Sequence, residues 1–439
     1  TVGPATVEVA SETVQFEALY DNLYMPPVLR VQPGDTVRLK IANESEQDTN
    51  VHYHGFGVTP MGTGDNVFLD IVPDEVYQYD FPIPDDHPQG LFWYHPHVHP
   101  GVNHQIAGGL SGGLIVGDIL APFPELANIP ERIMLLKDLK TVDGAPESDP
   151  DPAGPTTRTI NGLFQPRITM QPGQMEFWRI GNIGANIYYQ LRLDGLPFYV
   201  IAQDGNLQTQ ALATDTLLLP PGKRIELLIY GPADTNRTYD LRAEAFSTGA
   251  TADDGDAYPP QLMASVVSLG AAVTPIPVPT ALPIVPDLRG GPVDNQRTIV
   301  FANNDDPDDP NQFLIGGKGY DHDCVDTQVE LGVVEEWTIQ NTANEAHVFH
   351  IHQVDFQVTE INGVEQPFTG YQDTVNLLPT ENESEPTEVK VIIPFTNTVI
   401  PGEFVYHCHI VQHADQGMMA NIVVVDPSNP PNPPMQMCQ

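Results

Sequence analysis

An all-β protein built from three related domains is what this sequence predicts, and three observations carry that reading. The chain has 439 residues, more than one ordinary core accommodates. It contains 44 prolines and 36 glycines and few long apolar stretches of helical period, which favours short strands joined by turns. One segment also occurs three times.

That segment is "PGDTVRLKIAN" at 33–43, echoed by "PGQMEFWRIGN" at 172–182 and "LGVVEEWTIQN" at 331–341. Each copy has Gly in second place, strand-like alternation, and a closing Ile-x-Asn. Composition supplies the boundaries. The stretch 119–130 and the Pro-rich stretch 274–292 read as linkers, the second extended across a surface. The expected domains are 1–125, 126–285 and 286–439.

The 41% hydrophobic content is enough for real cores, and the net charge of −40 excludes nucleic acid as a partner because phosphates could not be neutralised. The acidity reads as a solvated surface. Loops 251–258 and 303–312 are acidic but lack the ligand spacing of an EF-hand. No run of about 18 apolar residues suggests a membrane span. Residue 1 reads as the start of a mature chain whose leader was removed, and an extracytoplasmic location is expected. Cys324 and Cys438 can either pair or stay free.

Histidines follow the repeat. His52 and His54 lie nine and eleven residues after Asn43, and His350 and His352 lie at the same offsets from Asn341. In the middle copy those offsets hold Leu191 and Leu193, so the fold itself does not demand histidine. "GLFWYHPH" at 90–97 aligns with "GEFVYHCH" at 402–409, adding His95/His97 and His407/His409. His99 also falls in step, but the alignment of Gly90 with Gly402 favours His95/His97. Residues i and i+2 share a strand face, so each pair offers two imidazoles to one side, and four pairs point to transition metal.

Cys408 sits between His407 and His409 and must face the other way. His347 is an odd step from His350 and also faces away. His413 and Met418 follow in what reads as a loop able to fold back on Cys408. Two histidines, a thiolate and a thioether form the ligand set of a blue-copper electron-transfer centre. Zinc accepts the nitrogen and sulfur ligands, but the methionine adds little for it.

With "HYHG", "HPH", "HVFHIH" and "HCHIVQHADQGMM" in this order, the chain resembles the multicopper oxidases, specifically a three-domain, laccase-like bacterial member. The resemblance spans essentially the whole sequence. It implies three cupredoxin-like Greek-key β-barrels and four copper ions. Type 1 copper would take His347, Cys408, His413 and Met418, and type 2 copper His52 and His350. The type 3 pair would take His54, His95, His97, His352, His407 and His409. The middle domain, without ligands, would be a spacer that helps shape the substrate surface. His87, His99, His104 and His322 remain outside the assignment.

This chain departs from the family pattern at Tyr53, where Trp is usual, at Val348, where Pro is common, and at Ala414. Bacterial relatives often carry at that last place a Glu implicated in proton supply. Asp65 resembles another family acid near the type 2 copper, and Asp415 is adjacent to Ala414; both are candidate proton relays. The implied activity is oxidation of phenols or aromatic amines coupled to reduction of O2 to water, in a chain that can act as a monomer. Alternatives are bilirubin-oxidase-like specificity and cuprous or ferrous oxidation. The ten methionines form no cluster of the kind cuprous oxidases often show, and ferrous oxidation needs carboxylates beside type 1 copper. A non-catalytic copper-binding cupredoxin is the rival of another class.

Overall fold

The computed structural model describes residues 1–147, 156–235, 237–251, 254–304, 306, 308–429 and 436–438. Parts of the acidic loops 251–258 and 303–312 (252, 253, 305 and 307) lie outside the described residues. Strands dominate. They run from Val2–Val9 to Gly112–Val116, from Glu131–Leu139 to Gln261–Ser268, and from Asn295–Asn303 to Met419–Val425.

The second and third groups have the same topology, each a six-stranded sheet facing a five-stranded one. In the third group the five-stranded sheet runs Thr327–Glu330, Met419–Val425, Gly402–Cys408, His347–Ile351, Thr374–Leu377. Neighbours that are not consecutive in sequence are the mark of Greek-key winding. The first group is smaller, with a four-stranded sheet in the order Leu29–Val31, Gly112–Val116, Gly90–His95, His52–His54, beside two two-stranded ladders.

The repeated asparagine has a structural cause. Asn43, Asn182 and Asn341 are buried, and each side-chain amide donates to two backbone carbonyls. The acceptors are Gln47 and Ile71, Ile187 and Leu219, and Glu345 and Leu378. Each amide thus ties its strand end to a distant loop, satisfying carbonyls that would otherwise be stranded. The middle and third copies share a second device. Trp178 and Trp337 donate to Glu176 and Glu335, which Arg132 and Arg297 hold from the neighbouring strand.

Both linkers lie against the middle unit. Ile119, Leu120, Phe123, Leu126 and Leu282 share a core with Met175, Phe177 and Leu228. Cys324 and Cys438 are paired, resolving the choice the sequence left open.

Lys137 locks the first two units together. It is buried on Glu131–Leu139, and its ammonium donates to the carbonyls of Tyr24, Gly109 and Ser111 at 2.8–2.9 Å. Lys137→Met leaves those carbonyls unsatisfied and is expected to cost about 3 kcal/mol, read as a fall in the urea midpoint. An unchanged midpoint would show that the lysine is dispensable to the interface.

Candidate metal centre

Backbone register places the histidines. His52 lies opposite His95, and His350 lies opposite His407. In the middle unit the corresponding pair is Leu191 opposite Ala243. Directly opposed residues of an antiparallel pair share a face. The same address in three barrels therefore holds histidine pairs in two and an apolar pair in one.

Only His52/His54 sits wholly within a strand. His97, His352 and His409 each lie just past a strand end, so these pairs depend on how the chain leaves the sheet as well as on strand parity. The first and third units interdigitate. His52 stacks on His352 at 3.8 Å between ring centroids, and His54 on His350 at 3.9 Å. All eight rings are buried.

Ring nitrogens converge in three sets. His54 Nδ1 is 3.2 Å from His409 Nε2, and His95 joins that group. His407 Nε2 is 3.3 Å from His97 Nε2 and 3.2 Å from His352 Nε2. Such spacings match two nitrogens each about 2.0 Å from one first-row metal. His52 and His350 form the third set with His54, and their Nε2 atoms have no hydrogen-bond partner. Burial, reinforced by neighbouring imidazoles, holds His52 well below its ordinary pKa, and burial takes His95 down to about 3 and His350 to about 4. Neutral imidazole is the form that binds metal, so orphaned, deprotonated nitrogens fit a resident ion.

Four of the rings anchor their outward nitrogen, as is usual for metal-binding histidines, whereas His352 Nδ1 and His409 Nδ1 have no hydrogen-bond partner. His52 Nδ1 faces Asp65 at 3.0 Å, His95 Nδ1 the carbonyl of Pro96, His350 Nδ1 that of Asp373, and His407 Nδ1 that of Cys408, the last three at 2.8 Å. Asp65 also accepts from the Tyr53 N–H and from Gln353 Nε2. Burial outweighs these donors and pushes its carboxyl up to about 7.

On the other face of Gly402–Cys408 lies the sulfur site. Cys408 Sγ is 3.8 Å from His347 Nδ1 and 3.8 Å from His413 Nδ1, which are 3.1 Å apart. The Val348 N–H donates to the sulfur, and Met418 is fully buried. Burial pushes the Cys408 thiol up to about 12, so a thiolate there requires a bound cation. The expected loop differs in one respect: His413 sits on a short helix, Val411–Asp415. That single turn brings the His413 ring back over Cys408, because the Met418 N–H bonds to the His413 carbonyl and the Cys408 N–H to the Met418 carbonyl. Phe313 stacks on His413 at 3.9 Å.

Asp415 accepts from the backbone N–H groups of Gly101, Val102 and Asn103 and lies 3.4 Å from His99 Nδ1. It thereby holds helix Val102–Ala107 of the first unit against helix Val411–Asp415 of the third. His99 and His97 both line a pocket of about 200 Å³. His99 belongs to none of the ligand-like clusters among the described residues.

Sequence reasoning missed four contributors: Asp373, Arg224, Gln353 and Glu345. Asp373 Oδ1 is 3.3 Å from His54 Nε2, and Arg224 of the middle unit grips Asp373. Glu345 Oε2 lies 3.9 Å from His413 Nε2. The available signal was "KRIE" (223–226) opening the otherwise apolar strand Arg224–Tyr230, in a chain with only 18 basic residues.

The chain is similar to known proteins along most of its length. Multicopper oxidase family models match residues 1–119, 133–259 and 291–428. A multicopper oxidase of Staphylococcus haemolyticus is 24% identical, over 93% of this chain and 83% of that protein. A laccase of Bacillus subtilis is 26% identical, over 93% of this chain and 90% of that protein. The solved structure of a Campylobacter jejuni multicopper oxidase, described as a metallo-oxidase, superposes with a TM-score of 0.83. It shares 26% identity and covers 96% of this chain and 90% of that one.

Proposed function

The chain belongs to the multicopper oxidase family, and from that premise we propose a laccase-like oxidase of phenols and aromatic amines that reduces O2 to water. In this reading His347, Cys408, His413 and Met418 hold type 1 copper, and His52 and His350 hold type 2. One type 3 copper takes His54, His95 and His409, and the other His97, His352 and His407. The four ions, when bound, supply one-electron acceptance at the sulfur site and four-electron reduction of dioxygen within the histidine cage.

The observation that carries this reading is the junction at Cys408. Its sulfur faces one site, while its peptide neighbours His407 and His409 face the other. The two sites are therefore covalently joined through a few bonds of a buried strand, and no diffusing carrier is needed between them. His413 presents the edge nearest a docked reductant. Asp65 orients His52, and we assign it proton transfer on that side of the cage. Asp415, which touches His99 beside the pocket at His97, is assigned the same task on the other side. The middle domain contributes no ligand and borders the reductant's approach through loop residues near Glu345.

Oxidation of cuprous or ferrous ions is the second reading, supported on the ferrous side by one carboxylate, Glu345, beside the candidate type 1 site. Glu345 stands at the His413 edge, and burial, with Asp256 and Asp254 adding, raises its carboxyl. When ionised, Glu345 with the neighbouring Asp254 and Asp256 makes this edge negative, which draws cations to the point of electron entry. The disulfide between Cys324 and Cys438 supports an oxidising, extracytoplasmic compartment. Among the described residues no helix is long and apolar enough to cross a membrane.

The deciding experiment loads the chain with copper and compares kcat/KM for O2 uptake with phenols, aromatic amines, bilirubin, Cu(I) and Fe(II). Highest values for phenols or amines support the laccase reading, and highest values for a metal ion replace it with the second. Blue protein that consumes no oxygen with any of these donors overturns the enzyme reading in favour of a copper-binding cupredoxin.

A further inference from the structure

We propose that Arg224 of the middle domain is a positioning residue of the histidine cage, acting through Asp373 on His54; this rests on the copper reading above. His54 is turned differently from its neighbours. His52, His95, His350 and His407 direct Nδ1 outward to a protein acceptor. His54 directs Nδ1 inward, 3.2 Å from His409 Nε2, and leaves Nε2 to meet Asp373 Oδ1 at 3.3 Å. A ring in this orientation needs an acceptor in a particular place to keep its proton on Nε2 and its lone pair on Nδ1.

Asp373 is fixed in that place. Arg224 Nη1 donates to Oδ1 at 2.8 Å and Nη2 to Oδ2 at 2.6 Å, while Thr374 Oγ1 donates to Oδ1 at 2.7 Å. The two-point fork sets the carboxylate plane as well as its position. The Asp373 carbonyl accepts from His350 Nδ1, so one residue steadies two rings of the cage. Burial alone would raise the Asp373 carboxyl, but Arg224 holds it below the usual range.

Arg224 itself is fully buried and touches all three domains. Its Nε donates to the Leu91 carbonyl of the first and Nη1 to Gly222 of the second, and its fork meets Asp373 of the third. Two glycines make room for this arrangement. Gly55, directly after His54, has φ +86, and a Cβ there would lie 2.5 Å from Arg224 Nη2 and 2.6 Å from Asp373 Oδ2. Gly222 has φ +83, and a Cβ there would lie 2.9 Å from the His409 ring. The loop before Arg224–Tyr230 therefore forms a wall of the cage. Lys223 and Asp204 balance the buried charges. Buried ion pairs seldom add much net stability, which favours a role in geometry over one as a mere fastener.

The test compares copper-loaded full-length protein with Arg224→Met and Arg224→Lys. Copper per chain, the blue type 1 band, the type 3 absorption and the rate of copper loss to a chelator are measured. The blue band per chain is expected to be unchanged in both variants. Type 3 absorption should fall in the order wild type, Lys, Met, and cage copper should leave Arg224→Met at least about 10-fold faster. Lysine keeps the charge but lacks the fork, so its partial effect reports geometry. A folded Arg224→Met with wild-type type 3 absorption and chelator loss overturns the proposal. So does a blue band lost in proportion, the signature of general unfolding. If Arg224→Met does not fold, wild-type behaviour of Arg224→Lys overturns it alone. Wild-type protein that takes up no copper would sink the copper reading itself.

Discussion

Cys408→Ser is expected to abolish the blue absorption and nearly all reductant-driven oxygen uptake while leaving the histidine cage loaded. A serine hydroxyl is a hard, weakly acidic donor and cannot replace a thiolate between His347 and His413. The loss should exceed the roughly 100-fold typical of removing an outer hydrogen-bond partner of a metal site. Cage residues His407 and His409 keep their rings on the opposite face of the strand, so copper content should fall by one ion per chain. Absorption, copper analysis and oxygen uptake together check this. A blue, active Cys408→Ser protein would remove the sulfur from the electron path.

Copper-free protein is expected to lose stability steeply as pH falls below about 6.5, the ordinary histidine pKa. Burial lowers His52, His54, His97, His352, His407, His409 and His413 well below that value, His95 and His347 to about 3, and His350 to about 4. Between those folded values and the unfolded one, the unfolded chain binds more protons, so stability falls with falling pH. Each histidine contributes up to about 1.4 kcal/mol per pH unit in that window. Buried carboxyls act in the opposite sense: Asp65 is raised to about 7, Asp138 to about 6 and Asp355 to about 8, and each favours the folded state as pH falls towards its unfolded value. Asp204, Glu226, Asp326, Glu345 and Glu403 are raised as well, and the ten histidines outnumber these eight carboxyls. A total stability of about 5–15 kcal/mol leaves little margin against that slope.

The measurement is the urea midpoint of chelator-stripped protein at about pH 7.5 and about pH 5.5, repeated with copper bound. The stripped protein should lose most of its midpoint and the loaded protein much less, because bound metal competes with protons for the same nitrogens. A stripped midpoint that is flat or rises on acidification would show that the rings are not held neutral.

How much of this was legible in the sequence differs from residue to residue. His52, His54, His350 and His352 could be read because the repeat aligns them with Leu191 and Leu193 of a copy that needs no metal. Cys408 could be assigned to a separate face because alternation along a strand is a local rule. The His413 helix could not be read, since five residues of one turn carry no periodic signal. Cys324 and Cys438 left two outcomes open across 114 residues, and only folding brought them within bonding distance.

Local periodicity and repetition thus determined from sequence alone the all-β class, the three-copy plan and which residue types face together on each strand. The tertiary structure alone decided which nitrogen of each ring points inward, that Asp373 and Arg224 stand behind His54, and that Glu345 reaches the His413 edge. The physical reason is range. Strand parity depends on neighbouring dihedrals, whereas the Arg224–Asp373 pair spans 149 residues and forms only when three separately wound barrels close on one another.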